Sequence, residues 1–292
     1  MKFKETVKAF LYLFPALLII EVFTIYPIIK SFLMSFYADY DFFNDVVHRY
    51  GFDNFVFLWN DLVFHKALKN TLIFVLGVVP ISIILSLWIA IMLNSITLLN
   101  KFFRAIYFIP FVTSVVAVSI VWRWIFHSNY GIMNYFLSFF GIEPIQWLTS
   151  TEWAMPALII LSIWKGLGYN IIIFLAGLQT IGDTYYNAAR IDGAKRWNRF
   201  IHVTLPQLAP TTFFVSIISI INSFKVFDEI YALFDGKAGP SNSALTVVYY
   251  IFDKFYGEWN FGVASAAAYV LFLIIFIITL IQFYINKKKI TY

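Results

Sequence analysis

YYNAARIDGAKRWNRFIHVTLPQLAP, residues 185–210, is a polar island between two apolar stretches. One stretch ends near Leu178 and the next begins near Pro206. The island sets Arg190, Lys195, Arg196 and Arg199 against Asp192, and Asp192-Gly193 interrupts its helix formers. A loop that only joined two membrane helices could be a few residues long. This one reads as a short amphipathic helix, a glycine break and a second short helix, shaped to be gripped from the cytoplasm. Gly193 permits positive φ, so two helices can meet there at a tight corner. Asp192 is expected to cap the second of them. Ala188 and Ala189 are small, which lets another protein's surface approach closely. The plainer alternative is an amphipathic loop resting on lipid headgroups, which the four cations would suit. That alternative leaves the Ala-Ala and Asp-Gly pairs unexplained.

The rest of the chain says what the island interrupts. Of 292 residues, 61% are hydrophobic and only 13% charged, against about 25% charged in an average soluble domain; the mean hydropathy is +0.79. One soluble core cannot hide so much apolar surface, so the bilayer is the expected solvent. Six windows are long enough to cross it, a crossing needing roughly 20 residues: 9–29, 71–94, 105–126, 154–178, 205–227 and 261–285. The expected fold is therefore all-α and polytopic, one transmembrane domain over 1–292 with six spans. The start MKFKETVK before an apolar run could open a signal peptide. The run contains Glu21 and lacks a small-x-small cleavage site, which favours a retained first span. There is no cysteine, so disulfides and thiolate chemistry are excluded.

The net charge of +5 is read by place. Lys2, Lys4, Lys8, Lys101, Arg104, the four island cations and Lys287 to Lys289 fall on one side of the six windows. The other side holds fewer cations and most of the acids, among them Asp39, Asp41, Asp45, Asp53, Asp61 and Glu258. The bias places both termini and the island in the cytoplasm. It makes the basic clusters topology signals, not a nucleic-acid surface. The outer segment 30–70, with FYADYDFFND and YGFDNFVFLWND, reads as a small ordered cap. In the outer loop 127–153, GIMNYFLSFFG suggests a short surface helix, and Gly239–Ser241 a turn.

Charges within spans are functional hypotheses by default. Arg123 sits near a span end and reads as a snorkelling anchor. Glu21 and Lys165 each fall about half-way through a span, deep enough to pair; alternatively Lys165 faces a translocation path. His48, His65, His127 and His202 lack metal spacing, and no catalytic constellation stands out. No GxxxxGK[ST] loop occurs, so the chain is expected to need energy from a separate subunit or an ion gradient.

The island resembles the cytoplasmic "EAA" coupling loop of bacterial ABC-importer permeases. The match lies on Ala188, Ala189, Asp192, Gly193, Ala194, Phe200, Leu205 and Pro206, and it departs at Asn187, where that family usually has Glu. The likeness extends along the chain and is similar to the carbohydrate-uptake branch, the maltose- and glycerol-phosphate-type permeases. It runs through Tyr26-Pro27, Gly51 to Phe55, Asn70-Thr71, Pro110, Trp122, Gly131 with Asn134, Leu175 to Gln179, then Phe224, Phe227, Asp228, Ile230 and Tyr231, and Gly239-Pro240.

The resemblance implies a type I importer permease with both termini cytoplasmic, in a bacterial or archaeal cell membrane. It implies a coupling loop over 183–205, with Asn187, Ala188, Ala189, Asp192, Gly193 and Ala194 docking on an ATPase. It implies as partners a second homologous permease, two ATPase subunits that hold ATP and Mg, and an extracellular solute-binding protein. This chain itself would carry no cofactor, no metal and no enzymatic activity. The cargo implied is a sugar or oligosaccharide, recognised by aromatic faces and by hydrogen bonds. Phe111, Ser114, Ser162, Lys165, Gly166, Tyr169 and Asn222 are the expected contacts. Ser, Gly and Asn also serve as ordinary packing residues between membrane helices. The alternatives are a non-sugar cargo such as a glycerol phosphate, or a gradient-driven transporter. The latter would usually show an internal repeat and an array of membrane carboxylates.

Overall fold

The computed structural model describes residues 2–95 and 100–289. The expected inner loop between the second and third spans falls largely on 96–99, outside the described residues. The side chains of Lys2, Lys4, Lys101, Arg104, Lys288 and Lys289 are likewise outside them.

The chain is mostly helical, with one departure from an all-α fold. α1 (Lys2–Ile20) passes through a π-helical turn (Glu21–Ile25) into α2 (Tyr26–Met34). Pro27 explains the turn: it has no N–H to give the preceding carbonyl, and its ring crowds that carbonyl. The widened turn lets Tyr26 N–H donate to Glu21 O. Then come β1 (Tyr37–Asp41) and β2 (Val46–Tyr50), an antiparallel hairpin in the segment expected to form a cap. Its tip is an Asx turn, with the amides of Phe43 and Asn44 donating to Asp41 Oδ1 at 3.0 and 3.1 Å. Next are α3 (Asp53–Asn60) and α4 (Leu62–Asn94), then α5 (Asn100–Val112), α6 (Val115–Ile125) and α7 (Ile132–Ser138), the last being the expected surface helix. α8 (Ala154–Thr180) leads to α9 (Asp183–Ile191) and α10 (Arg196–Arg199). A second π turn (Phe200–Thr204) precedes Pro206, as the first precedes Pro27, and gives way to α11 (Leu205–Gln207) and α12 (Ala209–Phe224). α13 (Asp228–Leu233), α14 (Val247–Phe252) and α15 (Phe261–Lys289) complete the chain.

Among the described residues, four helices are long and apolar enough to cross a membrane unbroken: Glu5–Met34, Leu62–Asn94, Ala154–Thr180 and Phe261–Lys287. The third and fifth expected spans are bent pairs, by 104° between α5 and α6 and by 65° between Arg196–Gln207 and α12. At the first bend, Thr113 Oγ1 donates to the carbonyls of Ile109 and Pro110, and Ser114 is extended with ψ 130°.

Cα packing divides the chain into two compact units. The first holds 1–65 and 250–273. In it, Asn54 Nδ2 donates to the carbonyls of Ser35 and Tyr37 at 3.0 and 2.9 Å, fastening α3 to the start of the hairpin. Tyr250 Oη donates to Asp61 Oδ2 at 2.6 Å. The first span buries none of its described apolar window within the chain.

The second unit holds 66–249 and 274–292. Its core joins α4, α8 and α12 through Ala90, Leu93, Phe174, Leu175, Leu178 and Val215, all buried. Gly168 lets α5 lie directly on α8, because a Cβ there would run into the Tyr107 carbonyl. Asn70 Nδ2 donates to the carbonyls of Asn242 and Leu245, and Val247 N–H donates to Thr71 Oγ1. Asn134 ties the loop after α6 together. Its amide donates to Ser128 O and Ile145 O, and its oxygen accepts from Ile145 N and Trp147 Nε1, all within 3.2 Å. The Asn positions that carry the family resemblance are thus buried fasteners of loops. Arg123 is no free snorkelling anchor: its Nη1 donates to Asp235 Oδ1 at 3.0 Å.

Candidate functional site: an elbow and a cavity on one helix

The elbow grows from the end of α9. Asp192 N–H donates to Ala188 O, Gly193 N–H to Arg190 O at 3.0 Å, and Ala194 N–H to Ala189 O at 2.9 Å. The last two bonds, with Gly193 at φ +76°, make a Schellman motif with glycine at the position after the cap. Asp192 is therefore the C-cap of α9, not the expected N-cap of the next helix. That role falls to Lys195, which makes no side-chain capping bond. Once Gly193 takes the left-handed conformation, the residue before it must finish the first helix.

The inner face of the elbow is a groove of about 440 Å³ lined by Tyr185, Ala188, Ala189, Asp192, Ala194 and Arg199, among others. Tyr186 Oη lies 3.1 Å from Thr204 Oγ1 and fastens α9 to the π turn. Asn187 is exposed and accepts from Arg190 Nη1 at 3.3 Å. Ile191 and Trp197 are 87% and 67% exposed, an apolar pair displayed among cations.

The second feature is a cavity of about 360 Å³ in the same unit. Of the residues singled out in the sequence, Phe111, Ser162, Lys165, Gly166, Tyr169 and Asn222 line it, and Ser114 does not. Ser114 sits at the break between α5 and α6, where Val115 takes its place on the wall. Phe111 and Tyr169 stack with centroids 5.0 Å apart. Lys165 Nζ donates to Thr113 O at 3.3 Å, so the ammonium caps the carbonyl end of α5, where a cation is favoured. Glu21, its expected partner, belongs to the first unit.

The sequence reading missed Ser82 of α4, Ser219 of α12, Lys225, and Asp228 and Glu229 of α13, all on the cavity wall. α13 packs against α6 and α8, which brings residues past the end of the fifth apolar run back to the site. Charges directly after that run were the available signal. Burial pushes the Glu229 carboxyl above the usual carboxylate range; neighbouring Asp228 adds to the rise, and Lys165 opposes it. Ser82 Oγ and Ser162 Oγ are buried with no hydrogen-bond partner. Nothing in the cavity has the form of a catalytic dyad or triad. Its arrangement can hold a polar solute by stacking and hydrogen bonding.

A multi-pass helical chain with a solute-sized cavity lined by aromatic, hydroxyl and charged side chains, and an exposed elbow directly after the helix that lines it, has the form of a membrane permease. Residues 82–291 match the family described as "Binding-protein-dependent transport system inner membrane component", and the chain belongs to that family of ABC-importer permeases. It is 39% identical to the lactose transport system permease LacF of Rhizobium radiobacter, over 97% of this chain and 95% of that one. It is 36% identical to the arabinooligosaccharides transport system permease AraP of Bacillus subtilis, over 94% and 88%. A crystal structure of a bacterial ABC transporter involved in import of the acidic polysaccharide alginate contains a chain that aligns over 100% of both, with a TM-score of 0.83 at 26% identity. The family is one of transport permeases, not of enzymes, and lies in the inner membrane.

Proposed function

We infer that this chain is the permease subunit of an ATP-driven importer that carries a sugar or oligosaccharide into the cytoplasm. What carries the reading is that the helix lining the cavity, α8, leads straight into the elbow. Ser162, Lys165, Gly166, Tyr169 and Asn170 line the cavity, and Thr180 ends the helix three residues before α9. From Tyr169 to Thr180 the helix advances about 16 Å, at roughly 1.5 Å per residue, so a pull on the elbow is passed to the cavity by one rigid element. The relatives that transport lactose and arabinooligosaccharides support a carbohydrate cargo.

In this reading both bent pairs are spans, giving six, with both termini and the elbow in the cytoplasm. An ATPase subunit, holding ATP and Mg, covers Ile191 and Trp197 and grips Ala188 to Ala194. A second, homologous permease completes the pathway, since one chain supplies only one wall. A solute-binding protein delivers cargo from outside, as in the alginate relative solved with its periplasmic protein bound to alginate pentasaccharide. The test is reconstitution. The purified chain should hydrolyse no ATP, whereas its complex with a second permease and the ATPases should do so and respond to sugar-loaded binding protein. ATP hydrolysis by the clean single chain, or a complex deaf to loaded binding protein, would overturn the reading.

A further inference from the structure

Asp228 and Glu229 take no part in the coupling argument, yet both face the cavity. Neither is in an ion pair among the described residues. Two ammonium groups, Lys165 and Lys225, face the same space, and Lys165 Nζ is already given to the Thr113 carbonyl. The charges on the wall therefore balance, two against two, and no surplus cation waits for an anionic cargo.

A second observation points to a ligand. Ser82 is 3% exposed and lines the cavity, and its hydroxyl has no partner. Serines in helices usually donate to a carbonyl one turn back, as Ser86 does to Ser82 O. A buried hydroxyl left without a partner costs free energy until something supplies one. Ser162, on the opposite helix, is in the same state. Hydroxyls that donate or accept, beside carboxylate oxygens that accept, match the hydroxyls of a polyol. A carboxylate on the cargo would meet acceptors of its own kind and like charge. The related alginate importer handles an acidic polysaccharide, so the fold itself does not forbid charged cargo. The selection must be written in side chains.

We propose that Asp228 and Glu229 are specificity residues that accept hydrogen bonds from an uncharged sugar and turn away sugars bearing carboxylates. The proposal rests on the carbohydrate reading. It is tested in proteoliposomes carrying the whole importer, by uptake of labelled lactose and labelled digalacturonate. The binding protein is the same throughout, so any change in the ratio of the two uptakes belongs to this chain.

Wild type should favour lactose. The double variant Asp228→Asn, Glu229→Gln should lower the lactose-to-digalacturonate ratio by about tenfold, because like-charge juxtaposition is the discriminating element. Lys225→Gln should raise the ratio, an effect of opposite sign that no general loss of folding produces. Wild type taking both sugars equally, or a ratio unmoved by both variants, overturns the proposal and leaves the carbohydrate reading standing. A wild-type importer that carries neither sugar but is stimulated by a binding protein loaded with another class of solute overturns both.

Discussion

Replacing Gly193 by valine tests the elbow through its backbone alone. A Cβ at this position meets nothing within 4 Å, while φ is +76°, so the cost is conformational and not steric crowding by neighbours. A β-branched residue held in the left-handed region costs on the order of 1–3 kcal/mol. The chain can escape that strain only by leaving the region. It then gives up the bonds from Gly193 N–H to Arg190 O and from Ala194 N–H to Ala189 O, each worth about 1 kcal/mol. Either route penalises the elbow by about 2 kcal/mol, roughly a thirtyfold loss of the docking-competent form. The six apolar windows are untouched, so membrane insertion should be normal. Asparagine, which tolerates this conformation, is the control at the same site. In detergent-purified complexes, Gly193→Val should shed the ATPase subunits and lose transport, and Gly193→Asn should keep most of both. Full transport by Gly193→Val at normal expression, or equal damage from the two substitutions, would refute the reasoning.

Gly168→Ala should separate α5 from α8, because the added methyl has no room beside the Tyr107 carbonyl; a loss of 1–3 kcal/mol is expected and is read from thermal unfolding of the purified complex. Asn134→Ala removes four hydrogen bonds from a side chain that is 6% exposed, strands the carbonyls of Ser128 and Ile145, and should make the loop 127–153 cleavable by added protease while uptake persists at a reduced level. Lys165→Met and Glu229→Gln should be non-additive by about 1 kcal/mol in a double-mutant cycle, since the Lys165 charge acts on Glu229. The same cycle of Lys165→Met with Glu21→Gln tests the depth-matched pair read from the sequence, which a coupling of that size would support.

The spans were legible because an apolar run must be about as long as the bilayer is thick. Their breaks were not, because an average over 105–126 is blind to direction. The 104° turn forms where Thr113 Oγ1 bonds back to Ile109 and Pro110 and the Ser114 backbone leaves the helical conformation. The hairpin was missed for another reason. YADYD and VVHRY carry no clean period-2 alternation, so the aromatic and acidic mix was read as a cap without assigning strands. Asp192 was legible in retrospect. A glycine after a helix takes the position beyond the C-cap, which leaves the preceding Asp to end that helix instead of starting another. On the cavity wall, small polar and aromatic residues of the apolar runs stood out against their neighbours. Asp228 and Glu229 were set aside with the outer segment, because hydropathy ends the span at 227 and α13 turns back.

That return of α13 bears on how the elbow could govern access to the cavity. α13 packs on both α6 and α8, so the two carboxylates sit where α6 meets α8. α8 runs unbroken from Ala154 to Thr180 and leads into the elbow; α5 and α6 are joined by a hinge whose Thr113 carbonyl is held by Lys165. A displacement of α8 along or about its axis must move Lys165 with it. It must then either drag the hinge or break that one bond, which at 3.3 Å is the longer and weaker kind. Because α5 packs along α8 far more closely than α13 does, and α13 packs chiefly on α6, the cheapest motion keeps α5 with α8 and α13 with α6, and opens the hinge just beyond Thr113. The cavity wall that moves is then the one carrying Val115, Asp228 and Glu229, while Phe111 stays stacked on Tyr169 and in register with Ser162 of α8.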